Sequence, residues 1–212
     1  MNFKESLPYI FPFLLFGFLT YLFGFLIENS LFAYPLKIFF VSFSIIFFFK
    51  KIKQELVLKF DIFAVIVGII VFCLWVGLEG FYPAIGNDNV LNPFENSNQT
   101  QVIIFILFRM LGASIIVPLI EELFWRSFAM RFLIDSDFTK VPAGTFSWFS
   151  FVVVSVAFGF EHYRWLPGIF AGILYGLVYI RTKNLFSCVV SHSITNFMLG
   201  VYVLYTGYWS FW

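Results

Sequence analysis

The sequence predicts an all-α fold, a polytopic membrane helix bundle with about seven to eight transmembrane helices. Of its 212 residues, 61% are hydrophobic and only 12% are charged. A soluble domain of this length could not hide so much apolar surface from water. The apolar residues also fall into runs about as long as a bilayer crossing, separated by polar or basic stretches. Both observations predict an integral membrane protein.

Seven apolar runs are the candidate membrane helices. They extend from Leu7 to Ile27, Leu31 to Phe49, Ile62 to Tyr82, Val102 to Ile120, Phe146 to Phe160, Leu166 to Ile180 and Leu185 to Tyr205. The segment from Glu121 to Ile134 keeps helical apolar spacing, so we expect it to continue the fourth helix past a kink at Pro118. The chain contains no internal repeat, so residues 1–212 are predicted to form a single membrane domain.

The basic residues between these runs predict the topology. They follow the second run, or lie between the fourth and fifth or the sixth and seventh: Lys50, Lys51, Lys53, Lys59, Arg131, Lys140, Arg181 and Lys183. The loop from Pro83 to Gln101 contains no Lys or Arg. Because basic loops stay on the cytoplasmic side, we expect the basic loops and the N-terminus to face the cytoplasm. The Pro83 to Gln101 loop and the C-terminus are expected outside.

Charge and cysteine content exclude two further classes of protein. A net charge of +1 provides no basic field for nucleic acid, so no nucleic-acid partner is expected. Cys73 and Cys188 both lie inside apolar runs, where a disulfide framework is not implied.

The first polar group inside the apolar sequence is Glu121, Glu122 and Arg126. Ionisable side chains within a membrane are costly, so they indicate a functional site by default. Glu122 and Arg126 are four residues apart and can pair on one helical face, which is also what a purely structural ion pair would do. Glu121 has no such partner in its own helix. A carboxylate left unpaired in an apolar site can act as a general acid or base.

Two further polar groups contain the only histidines. His162 closes the fifth run beside Glu161 and Arg164, and His192 lies between Cys188 and Asn196 on one stripe of the last helix. Counted along a hairpin at about 1.5 Å per residue, Glu121 and His162 come to similar heights. The same count makes His192 shallower, unless the segment after Ser127 projects into the cytoplasm and the fifth helix stops short of the outer face.

Together these three segments resemble the CAAX-prenyl-protease and bacteriocin-processing family (CPBP, or ABI) of intramembrane proteases. "EELFWR" matches E-E-x-x-x-R, "FGFEH" matches F-x-x-x-H, and "HSITN" matches H-x-x-x-N, in the order of the family. Residues 1–100 match only as helices without motifs, so the catalytic helix core would be residues 101–205. The strings "EHYRWLPGI" and "LGVYVLYTGYWSFW" resemble a bacterial, exosortase-associated branch.

The resemblance implies a glutamic-type intramembrane endopeptidase that uses no metal or cofactor. Glu121 and His162 would activate water, Glu122 and Arg126 would support that acid, and His192 and Asn196 would stabilise the oxyanion. The implied location is a multi-pass position in the bacterial cytoplasmic (inner) membrane. The implied substrate is a membrane protein or lipoprotein-like peptide, with a functional link to an exosortase system.

The residues themselves leave other functions open. Two carboxylates and two histidines also suit zinc, although no H-E-x-x-H is present and Arg126 would compete with a cation for Glu122. The stripe of Cys188, His192 and Asn196 permits a thiol protease. A membrane-embedded binding or immunity protein would use the same acids without cleaving anything. A transporter would also use them, but its inverted repeat is not found in the sequence.

Overall fold

The computed structural model describes residues 3–27, 31–85, 91–95 and 98–212, and within these ranges the secondary structure is entirely helical. Seven helices follow one another along the chain: α1 (Phe3–Leu26), α2 (Ala33–Ile52), α3 (Ile62–Gly77), α4 (Gln99–Phe132), α5 (Trp148–Phe160), α6 (Trp165–Thr182) and α7 (Leu185–Thr206). The all-α prediction is confirmed for this part of the chain. Residues 86–90 and 96–97, in the loop predicted to face outside, lie outside the described residues.

Four of the helices, α1, α4, α6 and α7, are long and apolar enough to cross a membrane. Helices α3 and α5 are apolar but shorter. These helices support a multi-pass membrane protein, while the number of seven to eight spans stays a prediction. The 13 residues of α5 rise only about 20 Å, less than the ~30 Å hydrocarbon core of a bilayer. The turn that follows α5, which carries His162, therefore need not reach a membrane surface.

Helix α4 is the centre of the fold, and it contacts α1, α2, α5 and α7. The predicted continuation of this helix beyond Ile120 is confirmed, because α4 runs to Phe132. Its hydrogen-bond pattern widens to a π-helix at Gly112–Ile116 and again at Leu123–Ala129, on either side of Pro118. A proline has no N–H to donate within a helix, and such insertions are a common way to accommodate it. The distortion expected at Pro118 is thus present as two π-helical segments, one before and one after the proline.

Helix α3 is shorter than its apolar run predicts. It ends at Gly77 instead of Tyr82, and the chain then turns through Gly80 with a left-handed φ of 82°. Glycine adopts this conformation without the strain that a Cβ would cause. The turn positions Glu79 to accept two hydrogen bonds from Arg164, at 2.7 and 2.8 Å, in the segment after α5. Residues 78–82 therefore belong to a turn that supports His162 and its neighbours.

The three basic loops meet at one end of the bundle. The Asn184 side chain, which caps α7, donates to the backbone carbonyl of Val57 at 2.9 Å. This bond joins the loop before α7 to the loop between α2 and α3. Arg131, at the end of α4, forms an ion pair with Glu55 at 2.8 Å and joins the loop after α2 to the end of α4. This grouping is what the positive-inside rule requires of three cytoplasmic loops. The orientation of the bundle in the membrane stays a prediction.

Close packing of α5 against α6 shapes the interior. Gly168, Gly172 and Gly176 recur every four residues along α6, the small-residue pattern that lets membrane helices approach each other. A Cβ at Gly172 would lie 2.6 Å from the Ser155 carbonyl oxygen of α5. Only glycine fits this position, and the close approach exposes the Gly172 carbonyl to a side chain of α4.

Candidate active site

All four residues predicted to do chemistry line one cavity of about 290 Å³. Glu121 comes from α4, His162 from the turn between α5 and α6, and His192 and Asn196 from α7. Glu121 and His192 are buried, with 5% and 4% of their surfaces exposed. Helix α7 contacts the part of α4 that carries the two acids, which explains how segments far apart in the sequence reach one space.

The two adjacent acids face the two nitrogens of the same imidazole ring. Glu122 Oε1 lies 3.0 Å from His192 Nδ1, and Glu121 Oε2 lies 4.0 Å from His192 Nε2. The contact between Glu122 and His192 is therefore a hydrogen bond, whereas the contact between Glu121 and His192 is too long to be one. Glu121 Oε2 is buried and has no hydrogen-bond partner among the described residues. A gap of this size can be bridged by one water molecule that contacts both groups.

Glu122 also forms the predicted ion pair with Arg126. Arg126 Nε lies 3.2 Å from Glu122 Oε2, and both side chains are completely buried. Arg126 Nη2 donates a hydrogen bond to the Gly172 carbonyl at 3.2 Å, and its guanidinium lies 4.4 Å from the centre of the Phe158 ring. The close approach of α5 and α6 thus provides an acceptor for Arg126. Glu122 has one oxygen for Arg126 and the other for His192.

These contacts assign the proton on one nitrogen of His192. Glu122 is paired with a guanidinium, so it is an acceptor, and Nδ1 of His192 must carry the hydrogen between them. Nε2 then faces Glu121 with a lone pair if the ring is neutral and with an N–H if the ring is an imidazolium. His192 also stacks on Tyr175, with ring centroids 4.9 Å apart. The ring is therefore held at Nδ1 by Glu122 and on one face by Tyr175, while Nε2 stays free to bond in the cavity.

His162 lies in the turn after α5, outside the membrane-spanning helices. Its Nδ1 is 2.7 Å from the Phe158 carbonyl oxygen, which can only accept, so Nδ1 carries a hydrogen. Burial lowers the pKa of His162 to about 4, which keeps the ring neutral near pH 7. Its Nε2 is consequently a hydrogen-bond acceptor and a candidate base.

Asn196 is oriented by the distortion of α4. In the π-helical turn the Val117 N–H bonds to the Gly112 carbonyl, so the next carbonyl, that of Ala113, would pair with residue 118. Pro118 has no N–H, and the Asn196 Nδ2 instead donates to the Ala113 carbonyl at 2.9 Å. One N–H of the amide is thereby fixed, and the second remains available to the cavity.

Several residues that the sequence interpretation missed hold these groups in place. The Tyr175 hydroxyl donates to Thr195 at 2.8 Å, and Thr195 donates to the Gly68 carbonyl on α3 at 2.8 Å. Thr195 lies between the two motif residues of "HSITN", which is a signal that could have identified it. Glu161, which none of the three motifs specifies, accepts a hydrogen bond from Trp125 at 2.7 Å and connects the His162 turn to α4.

Cys188 does not line the cavity. It is fully buried, and its thiol lies 3.7 Å from the Tyr175 carbonyl, one turn of α7 away from His192. Among the described residues, no group of three His, Cys, Asp or Glu side chains is placed to hold a metal ion.

The apolar helices and the buried carboxylate and histidine site define a class, multi-pass membrane proteins with a polar cavity between their helices. Residues 101–198 match the family described as type II CAAX prenyl endopeptidase Rce1-like, which is part of the CPBP family. The family-level resemblance is thus confirmed for this segment, which contains all four cavity residues named above. No curated protein and no solved structure matches the chain.

Proposed function

We propose that the protein is a glutamic-type intramembrane endopeptidase, in which Glu121 activates water to hydrolyse a peptide bond. The observation that carries this proposal is the 4.0 Å gap between Glu121 and His192 in a cavity that His162 and Asn196 also line. The gap suits one water molecule, and the surrounding groups supply the base and the donors that peptide hydrolysis needs.

The proposed reaction needs a charged Glu121 that can accept a proton and an N–H on His192 Nε2 that can donate to an oxyanion. Because Nδ1 carries the hydrogen shared with Glu122, Nε2 carries an N–H only when the ring is an imidazolium. In that state Arg126 and His192 together compensate the charges of Glu121 and Glu122, and such compensation is needed because an unpaired buried charge is costly.

The reaction then proceeds through four groups. Glu121 accepts a proton from the water, which His162 Nε2 helps to orient, and the resulting hydroxide attacks the carbonyl carbon. The oxyanion receives hydrogen bonds from Asn196 Nδ2 and His192 Nε2. As the C–N bond breaks, Glu121 returns its proton to the leaving nitrogen, so that the products are a new C-terminus and a new N-terminus. Each donor to the oxyanion is expected to contribute about 10²- to 10³-fold in rate.

The substrate and the setting are also proposals. We propose that residues 1–212 act as one membrane domain in a bacterial cytoplasmic membrane. The substrate is a membrane protein or lipoprotein-like peptide. The strings "EHYRWLPGI" and "LGVYVLYTGYWSFW" support a place in the exosortase-associated branch of the family, and the distribution of Lys and Arg supports a cytoplasmic N-terminus.

The proposal is tested by profiling the N-termini of membrane and secreted proteins. Cells that produce the wild-type chain are compared with cells that produce Glu121→Gln at the same level in the membrane. New N-termini are expected only with the wild type, because the amide cannot accept a proton from water. Identical profiles, together with capture of a membrane protein by both variants, would instead support a binding or immunity protein.

A further inference from the structure

Arg109 is a charged residue of the cavity that the proposed reaction does not use. It lies on α4, on the side of the cavity formed by Tyr34 and Trp212. Its guanidinium carbon is 4.4 Å from the centre of the Tyr34 ring and 5.8 Å from that of the Trp212 ring. Two aromatic rings thus fix the plane of the guanidinium group at the cavity wall.

The hydrogen-bonding capacity of Arg109 is not used up. Its Nε is buried and has no hydrogen-bond partner among the described residues. None of the ion pairs within the described ranges includes Arg109. Two buried arginines differ in this respect, since Arg126 pairs with Glu122 and Arg131 pairs with Glu55. A guanidinium in an apolar surrounding without an acid is costly unless an anion reaches it.

A second basic residue lies near Arg109. Lys37, one turn along α2 from Tyr34, is buried, and its side-chain nitrogen lies 5.0 Å from the centre of the Tyr34 ring. Lys37 donates to the Thr20 hydroxyl at 2.9 Å, so its described hydrogen-bond partner is neutral. Arg109 itself lines the cavity, as Glu121 does, so the cavity offers a cation as well as the proposed catalytic acid.

We propose that Arg109 binds a carboxylate of the peptide that occupies the cavity. This inference rests on the proposed peptidase function and assigns a specificity residue to it. The planar guanidinium offers paired N–H groups that match the two oxygens of a carboxylate, and the aromatic rings hold it in the required orientation. The carboxylate belongs either to an acidic side chain or to the C-terminus of the peptide.

The position of Arg109 limits where that carboxylate can be. Arg109 precedes Glu121 by about three helical turns, a rise of roughly 18 Å along α4. An extended peptide covers about 3.3 to 3.6 Å per residue. The bound carboxylate should therefore lie within about five residues of the peptide bond that Glu121 addresses.

Calorimetric titration of the full chain in phosphatidylcholine nanodiscs tests this inference. Glu121→Gln serves as the background so that no probe is cleaved. One pair of probes is acetyl-trileucine and its C-terminal amide; the other is acetyl-Leu-Leu-Glu-Leu amide and the same peptide with Gln. We expect the carboxylate member of one pair to bind roughly 10-fold or more tightly than its amide partner. The pair that shows the preference identifies the source of the carboxylate.

The preference should fall to about one in Arg109→Gln and remain in Arg181→Gln. Arg181 is a suitable control because it also contacts an aromatic ring, that of Phe63, but lies outside the cavity. Equal affinities within both pairs, or a preference that survives Arg109→Gln in a variant with an unchanged thermal midpoint, would overturn the inference. Loss of the preference when phosphatidylglycerol replaces phosphatidylcholine would overturn it in favour of an anionic lipid headgroup as the ligand of Arg109. Binding is measured without turnover, so the affinities can be interpreted even if the protein proves not to be a peptidase.

Discussion

Glu122→Gln is expected to destabilise the protein severely, although Glu121→Gln, one residue away, should not. Glu122 and Arg126 are both completely buried and lie 3.2 Å apart. Removing one partner of such a pair leaves a buried charge, which typically costs about 3 to 5 kcal/mol. A glutamine at position 122 can still accept from His192, so the loss comes mainly from the missing charge. Glu121 has no ion pair with an arginine, and its replacement should cost at most about 1 kcal/mol.

The assay is unfolding in mixed micelles of rising dodecyl sulfate content, followed by tryptophan fluorescence. The control is the double variant Glu122→Gln with Arg126→Met, which leaves no unpaired charge and should recover part of the lost stability. The reasoning fails if Glu122→Gln unfolds at the same detergent content as Glu121→Gln. It also fails if the double variant is less stable than Glu122→Gln alone.

Three further predictions concern topology, the oxyanion site and the nature of the nucleophile. In a cysteine-free background, Gln99→Cys should react with an impermeant reagent in intact cells and Lys53→Cys only after the membrane is opened; the reverse pattern would refute the topology. Turnover of an identified substrate should fall about 10²- to 10³-fold in Asn196→Ala, because one oxyanion donor is lost. Turnover should fall less in Pro118→Ala, where the new N–H of residue 118 competes with Asn196 for the Ala113 carbonyl. A loss of turnover in Pro118→Ala equal to that in Asn196→Ala would argue that the proline does not act by leaving this carbonyl to Asn196. Turnover should be unaffected by Cys188→Ala or by phenanthroline; a loss in Cys188→Ala would favour a thiolate, and chelator inhibition reversed by zinc would favour a metalloprotease.

The sequence predicted which polar residues share the cavity but not how they contact one another. The spacing of four between Glu122 and Arg126 predicts their ion pair, because both lie on one helix. The contact of Glu122 with His192 joins α4 to α7, and no spacing within one helix can reveal it. His192 was expected to be shallower than the other groups, since the depth count assumed that both helices cross the whole bilayer. Helix α5 has only 13 residues and begins at Trp148, so His162 lies closer to the cytoplasmic end, and to the level of His192, than that count assumed.

Pro118 illustrates a similar limit. A proline inside an apolar run predicts a distorted helix, and α4 is distorted there. The proline alone does not predict which turn widens, and in the structure the Ala113 carbonyl is the one that bonds to Asn196 of α7. The local consequence of the proline could be predicted, whereas its effect on a residue of the last helix required the tertiary structure.

The most direct test of the central claim is the rate of peptide hydrolysis by purified Glu121→Gln. The substrate is a peptide that spans a cleavage site found by N-terminal profiling, and the protein is held in nanodiscs with its thermal midpoint checked against the wild type. Glutamine keeps the size of the side chain and one acceptor oxygen but cannot take a proton from water. The account predicts that hydrolysis collapses while folding and membrane insertion persist. Hydrolysis by Glu121→Gln at the wild-type rate would contradict it.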